Sequence, residues 1–391
     1  MSKENRPTLA FATMCKNEEH IIGTVLDAVA PYIDYLVVAD TGSTDNTIKI
    51  VEDFMERTGI PGEIHVDEWQ GFDKNKNIMM GYAFDKSDYV LHLDADDILA
   101  GDFSFTNEDA GYDNYLMTMK RGTSTWKATV IYDNRVHWKF CGTAHTIIKC
   151  LERPYVNRGD LSDRGWVIAD GVGSRAFDPK KYLYDAERLE KQFFETLVDD
   201  PDGLNTRSVF YTAQSYMDYG MYDKALEWNS LYQKISNTWI EERFESQMRI
   251  SKCMMRMPEK YSVQRVINEM EKAIAIFDDR AEPYYHLGCY LNQKGMHDLA
   301  YSYLTKAKSI NLEEAQRKYV LFVSVTCYNE YVNDELSVAC YYTDHLDEGI
   351  SLIEEIIDDS KFENKRERIS TNLDLFKKLK SNKEKQLMEN E

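Results

Sequence analysis

The sequence predicts an α/β domain with a mostly parallel sheet flanked by helices, followed by an all-α helical-repeat domain. Two observations predict it. Up to about residue 110, short apolar runs alternate with helix-periodic segments, the pattern of parallel strands joined by crossover helices. From Pro179 onward the periodicity is helical almost throughout, and one motif recurs. Gly220-Met221-Tyr222-Asp223-Lys224-Ala225 returns 75 residues later as Gly295-Met296-His297-Asp298-Leu299-Ala300.

In the alternating part, Thr8–Met14 reads as a strand. Glu19–Ala30 reads as a helix with Ile21, Ile22, Val25, Leu26 and Val29 on one side. Tyr35–Ala39 is a buried strand. A helix begins near Thr44-Asp45-Asn46-Thr47, where Asp45 suits a cap, and runs to about Arg57. Gly59-Ile60-Pro61-Gly62 breaks it. Ile64–Val66 is a short strand, Asn75–Phe84 a helix and Tyr89–Leu93 a strand. Residues 112–178 lose the alternation; Tyr115–Lys120 and Ala128–Tyr132 read as an antiparallel extension, with glycine-marked loops after them. In the helical part, Tyr211–Ile235 and His286–Ile310 superimpose as helix, Gly turn, helix, with Phe244–Phe277 as the unit between them. The offset equals about two units of a ~34-residue tetratricopeptide-like hairpin. Most tyrosines there, such as Tyr211, Tyr216 and Tyr284, read as packing residues of the repeat. The expected boundaries are 1–178, 179–360 and a charged 361–391, a terminal helix fraying into a tail.

With 43% apolar and 12% aromatic residues in 391, the chain can bury two cores. Its net charge of −20 argues against nucleic acid and anionic membrane surfaces as partners. The seven scattered cysteines, the lack of an apolar leader and the lack of a ~20-residue apolar span point to a cytoplasmic protein without a transmembrane segment. No Walker loop, dinucleotide fingerprint or nucleophile elbow is present.

The chemistry concentrates at Leu91-His92-Leu93-Asp94-Ala95-Asp96-Asp97. If the strand continues through it, Asp94 and Asp96 share one side. Carboxylates that close repel unless a cation lies between them. Hard ions such as Mg²⁺ or Mn²⁺ take such oxygens and complete their shell on substrate phosphates. Three more polar segments fall at predicted strand ends: Cys15-Lys16-Asn17-Glu18-Glu19, Asp40-Thr41-Gly42-Ser43-Thr44-Asp45 and Phe72-Asp73-Lys74-Asn75-Lys76-Asn77.

Together these four segments resemble the nucleotide-sugar-binding half of family 2 glycosyltransferases, which have the GT-A fold. Val37-Val38-Ala39-Asp40-Thr41-Gly42-Ser43-Thr44-Asp45-Asn46-Thr47 is the most specific part, and Trp138-x-x-x-Gly142-x-x-His145 extends the likeness weakly. The helical half is similar to the repeat domain that follows the transferase in some members. The resemblance implies a metal-dependent, inverting transfer from a nucleotide sugar, most simply a UDP-sugar, to a glycan, protein or small-molecule acceptor. It implies that Asp40 accepts from the uracil, Asn17 and Glu18 flank base and ribose, and Lys76 meets the diphosphate as a point charge. Asp94 would bind the ribose or the metal through water. Asp96 would ligate Mn²⁺ or Mg²⁺, with His145 completing the shell and Asp97 pointing away or supporting. Glu19 reads as a first-turn acid. Related enzymes usually carry an acid after that His; here it is Thr146, so the base stays open among Asp160, Asp163 and Asp170. Two rival readings use the same features: a nucleotidyltransferase, and a repeat scaffold with a vestigial transferase domain.

Overall fold

The structure, a computed structural model, describes residues 6–122 and 124–390; residues 1–5, read above for a targeting segment, and Glu391 lie outside them. The chain forms two compact units, Met1–Trp228 and Asn229–Glu391.

In the first unit, β1 (Leu9–Cys15) pairs in parallel with β2 (Tyr35–Asp40) and with β4 (Tyr89–His92), and β2 pairs in parallel with β3 (Gly62–Val66). The crossovers are α1 (Ile22–Val29), α2 (Thr47–Thr58) and α3 (Phe72–Ala83). Beyond β4 the sheet becomes mixed. β4 and β6 (Asn114–Arg121) both pair antiparallel with β7 (Ser124–Asp133). After the separate hairpin of β8 (Trp138–Cys141) and β9 (Ile147–Cys150), β10 (Arg158–Asp160) and β11 (Trp166–Ile168) pair in parallel with β6. β11 also pairs antiparallel with β5 (Ile98–Ala100). The α/β expectation is met, and the antiparallel extension starts where it was read.

The strands are apolar on both faces because both faces are covered. Leu9, Phe11 and Val38 pack with Ile22, Leu26 and Phe54 of α1 and α2 on one side. Ala10, Val37 and Val90 pack with Met79 of α3 and with Trp138 and Phe140 of β8 on the other. Several bounds differ from the reading; among them α1 starts at Ile22, α3 already at Phe72, and β4 stops at His92. The last difference matters, because Asp94 and Asp96 then lie in a turn closed by Asp97 N donating to Asp94 O at 3.0 Å. Strand alternation therefore does not set their directions.

Secondary structure changes to helix at α4 (Lys181–Glu195), close to Pro179 as read, but α4 and α5 (Asn205–Tyr219) belong to the sheet-bearing unit. Thr143 N donates to Gln192 Oε1 at 2.8 Å, and Arg207 Nε to the His145 carbonyl at 2.8 Å. The helix α6 (Tyr222–Lys234) runs across the unit boundary.

The second unit is helical. It contains α7 (Ile240–Met255), α8 (Val263–Ile276), α9 (Ala281–Gln293), α10 (His297–Lys308) and the short α11 (Leu312–Lys318). A 3₁₀ turn at Val325–Cys327 precedes α12 (Glu330–Tyr342) and α13 (Leu346–Ile356), and α14 (Arg366–Asn390) ends the chain. The echo 75 residues apart is structural: Gly220 after α5 and Gly295 after α9 both have positive φ, 91° and 72°. Met221 N bonds Tyr216 O and Met296 N bonds Leu291 O, the same closure of a helix end. Tyr211, Tyr216 and Tyr284 are buried packing residues. The terminal segment is a helix along its described length, buried through Ile369, Leu373 and Phe376. Its stripe is apolar enough to dock, which the charge count alone obscures. Among the described residues no helix is long and apolar enough to cross a membrane.

Candidate functional site

The carboxyl ends of β1, β2 and β4 gather three of the four polar segments, and the first turns of α3 supply the fourth. Ligands in such sheets sit at these ends.

The β2 loop is tightly wired. Asp40 is buried and its Oδ2 accepts from the backbone N–H of Gly42 and of Ser43, both at 2.9 Å. Its Oδ1 accepts from the Ser43 hydroxyl. Gly42 turns the chain back with φ 97°, a conformation glycine adopts without a Cβ clash. Asn17, at φ 55°, donates its N–H to Ser43 Oγ at 2.8 Å and accepts from Thr44 N at 2.7 Å. Asp40 thus serves its own loop with both oxygens. Asp45 accepts from Thr47 N and Oγ1 at 3.0 and 2.6 Å, one residue before the cap position itself, which Asn46 holds. Glu19 is not a first-turn acid; it accepts from Asn46 N and Nδ2 and so ties the two loops together.

At the β4 end, Lys76 donates to Asp94 Oδ1 at 2.7 Å and lies 5.4 Å from the Phe140 ring. The Lys76 ammonium, more than any other neighbour, pulls the Asp94 carboxyl down to about 2. Asp94 faces a cavity of about 720 Å³, which Asp97, Thr146, Tyr132, Trp138 and Phe140 also line. Asp96 turns elsewhere and accepts from Gly173 N at 2.8 Å. Beside it, Ser174 donates its N–H and hydroxyl to Glu18, both at 3.0 Å. Burial raises the Glu18 carboxyl against these bonds, and Asp96 adds to the rise. The expectation that Asp94 and Asp96 act side by side is corrected: the turn aims one at Lys76 and the cavity, the other at the Gly173 segment.

Asp97 does not point away. It borders the cavity, and burial, then Asp94 and Asp96, raises its carboxyl well above the carboxylate range. Three carboxylates with no sulfur among them are the donor chemistry of a hard divalent ion. Among the described residues no three His, Cys, Asp or Glu side chains converge as a ligand set. An ion that takes one or two carboxylates and finishes its shell on substrate phosphates needs none. His145 adopts φ 49°, stacks on Tyr211 with ring centroids 4.0 Å apart, and accepts at its carbonyl from Arg207.

The three candidate bases differ. Asp160 is ion-paired to Lys127 at 2.6 Å and accepts from Ser162 N. Burial works to raise its carboxyl, but these partners outweigh it and hold it low, which disfavours proton uptake. Asp163 is exposed, and Asp170 accepts from Gly122 N at 3.2 Å. Sequence reasoning missed the Gly173–Ser174 contact with Asp96 and Glu18, for which spacing holds no signal. It also missed Asn77, whose amide bonds the Phe140 backbone in both directions, at 2.9 and 2.7 Å, and so fixes one cavity wall.

The family model for glycosyl transferase family 2 matches residues 11–104. No curated protein matches the chain. Among solved structures, the S. aureus TarS fragment 1–349 in complex with UDP is similar at 17% identity and TM-score 0.34, covering 70% of this chain and 89% of its own. The MamA protein is similar at 19% and 0.34, covering 48% and 90%. A tetratricopeptide repeat protein from Parabacteroides merdae is similar at 12% and 0.37, covering 51% and 68%. The matched residues 11–104 contain most of β1, all of β2 and β4, and Asn17, Asp40, Lys76, Asp94 and Asp96. The first unit therefore carries a glycosyl transferase family 2 domain, and the chain is a glycosyltransferase.

Proposed function

We propose that the chain transfers a sugar from a UDP-linked donor to an acceptor hydroxyl with inversion, with Mn²⁺ or Mg²⁺ held at Asp96. One observation carries the reading: Lys76 sits on Asp94 in the lining of the cavity, with Asp96 and Asp97 in the same turn. Asn17 and Glu18 flank the base and ribose, and the Asp40 loop supplies the edge that the base meets. Lys76 is positioned to exchange Asp94 for a phosphate oxygen. When bound, the ion supplies charge that offsets the negative charge growing on the departing diphosphate. The sugar then faces the cavity, whose aromatic wall suits an acceptor ring and excludes water. Proton uptake from the acceptor hydroxyl falls to Asp170 or Asp163, since Asp160 is held by Lys127. The helical unit serves the acceptor, a glycan, a protein or a small molecule.

Calorimetric titration with UDP, with and without Mn²⁺, tests the donor and the ion. Binding is expected to require the ion in the parent protein, and Asp96→Ala is expected to abolish the ion-dependent part while circular dichroism stays unchanged. Equal UDP affinity with and without the ion counts against the site.

A further inference from the structure

The cavity that Asp94 faces has a second end. One row of side chains crosses four strands: Arg158 of β10 registers with Asn114 of β6, Asn114 with Tyr132 of β7, and Tyr132 with Val90 of β4. Residues opposite one another in a ladder project from the same face. Arg158, Asn114 and Tyr132 accordingly line the cavity that Asp94 and Asp97 line at the β4 turn. Asp94 lies four residues beyond Val90, and Asn114 lies two strands across. At about 3.3 Å per residue and about 4.8 Å per strand, Asp94 and Asn114 are about 16 Å apart. The cavity is therefore longer than a single sugar ring, acidic at one end and basic at the other.

The basic end has donors to spare. Arg158 donates Nε to Asn114 Oδ1 at 3.1 Å, and among the described residues it makes no ion pair. The neighbouring cations are engaged: Arg153 is paired with Asp113 and, at 3.5 Å, with Asp133, and Lys149 with Asp202 at 3.6 Å. Asn114 is only 2% exposed. Its oxygen serves Arg158, and among the described residues nothing accepts from its amide nitrogen. A buried amide whose N–H groups find no acceptor costs free energy until a water or a ligand takes them. The charges at both ends reach the row between them: burial raises the Tyr132 hydroxyl, Arg158 lowers it and Asp94 raises it further. A guanidinium fork fits the paired oxygens of a carboxylate or phosphate. A ligand with a hydroxyl at the acidic end and an oxyanion at the basic end is oriented by both charges.

We propose that Arg158 and Asn114 seat an oxyanion, a phosphate or a carboxylate, that the acceptor carries at the end of the cavity away from its reacting hydroxyl; this rests on the reading above that the cavity holds the acceptor.

The test is a ligand-observed NMR titration of the full chain, in saturating UDP and Mn²⁺, with glucose 6-phosphate, glucuronate and glucose. At least one of the two anionic sugars is expected to bind about tenfold or more tightly than glucose, the contribution of one charge-assisted contact. Binding of glucose 6-phosphate alone assigns a phosphate to the acceptor, and binding of glucuronate alone a carboxylate; either supports the seat. Arg158→Met is expected to erase the preference for the anion, and Arg158→Lys to keep part of it. Asn114→Asp sets a carboxylate oxygen where the free amide stands and pairs it with Arg158, so it is expected to weaken the anions as much as Arg158→Met does. Arg158 is exposed, so Arg158→Met is expected to melt with the parent. Glucose bound as tightly as the anions, or anion binding unchanged in Arg158→Met, overturns the seat. Anion binding that UDP displaces belongs to the donor site and overturns it as well. A parent protein that binds no UDP yet holds the anions through Arg158 keeps the seat and removes the donor reading.

Discussion

Asp40→Ala separates a carboxylate that holds its loop from one that only reads a base. Both oxygens of Asp40 are committed, to Gly42 N, Ser43 N and Ser43 Oγ. The loop they close passes its order on, through Ser43 Oγ and Thr44 N, to Asn17. Hydrogen bonds to a charged acceptor contribute about 1.5–3 kcal/mol each. Three of them cannot be lost at full value, because the freed N–H groups of a surface loop reach water. A local cost of about 3 kcal/mol follows, roughly a hundredfold in the opening equilibrium. Hydrogen exchange read by mass spectrometry on the peptide covering residues 38–48 measures it directly, and a global melt of a two-unit chain does not. Asp40→Ala is expected to speed exchange there about a hundredfold in the unliganded protein. Asp40→Asn, which keeps one acceptor oxygen, should fall between. UDP affinity should drop with the order of the loop while pyrophosphate affinity holds. Unchanged exchange in Asp40→Ala, together with weakened UDP binding, refutes the loop argument and returns Asp40 to reading the base alone.

Other expectations follow from the same contacts. His92 is buried with Nδ1 on the Ala12 carbonyl, and burial, with Lys76 adding to it, depresses its imidazole to about 4 from an ordinary 6.5. A depressed imidazole contributes stability that is complete above pH 6.5 and lost as pH falls toward 4, so between pH 7 and 5 the first unit should lose about 2 kcal/mol; urea unfolding of His92→Gln showing the same loss would rule His92 out as the source. Asp170→Asn or Asp163→Asn should lower transfer by 10²–10⁴-fold at unchanged UDP affinity, whereas Asp160→Asn should cost far less; near-normal transfer by all three sends the search for a base elsewhere. Truncation after Trp228 should leave UDP binding intact and reduce transfer to the natural acceptor. Truncation near residue 178 should damage the site itself, because it removes Gln192 and Arg207 from Thr143 and His145; equal UDP binding by both fragments contradicts that distinction.

What the chain reveals in one dimension is what depends on local repetition. Strand and helix alternate visibly because each buried strand is a short apolar run and each crossover carries a stripe such as Ile22, Val25, Leu26 and Val29. The acidic turn is visible because its carboxylates are adjacent in sequence. Direction within that turn is not, since a strand that ends at His92 and a strand that ends at Leu93 have the same composition and aim Asp94 and Asp96 differently. The partners of those side chains are also hidden. Lys76 meets Asp94 across 18 positions, Gly173 meets Asp96 across 77 and Ser174 meets Glu18 across 156. Such pairs are made by sheet order, with β6 and β11 side by side and the segment after β11 carried back to the β4 turn. Local pattern thus locates the acidic turn, while the groups that hold it, Lys76 on α3 and Gly173 after β11, meet it only when crossover and extension are folded onto it.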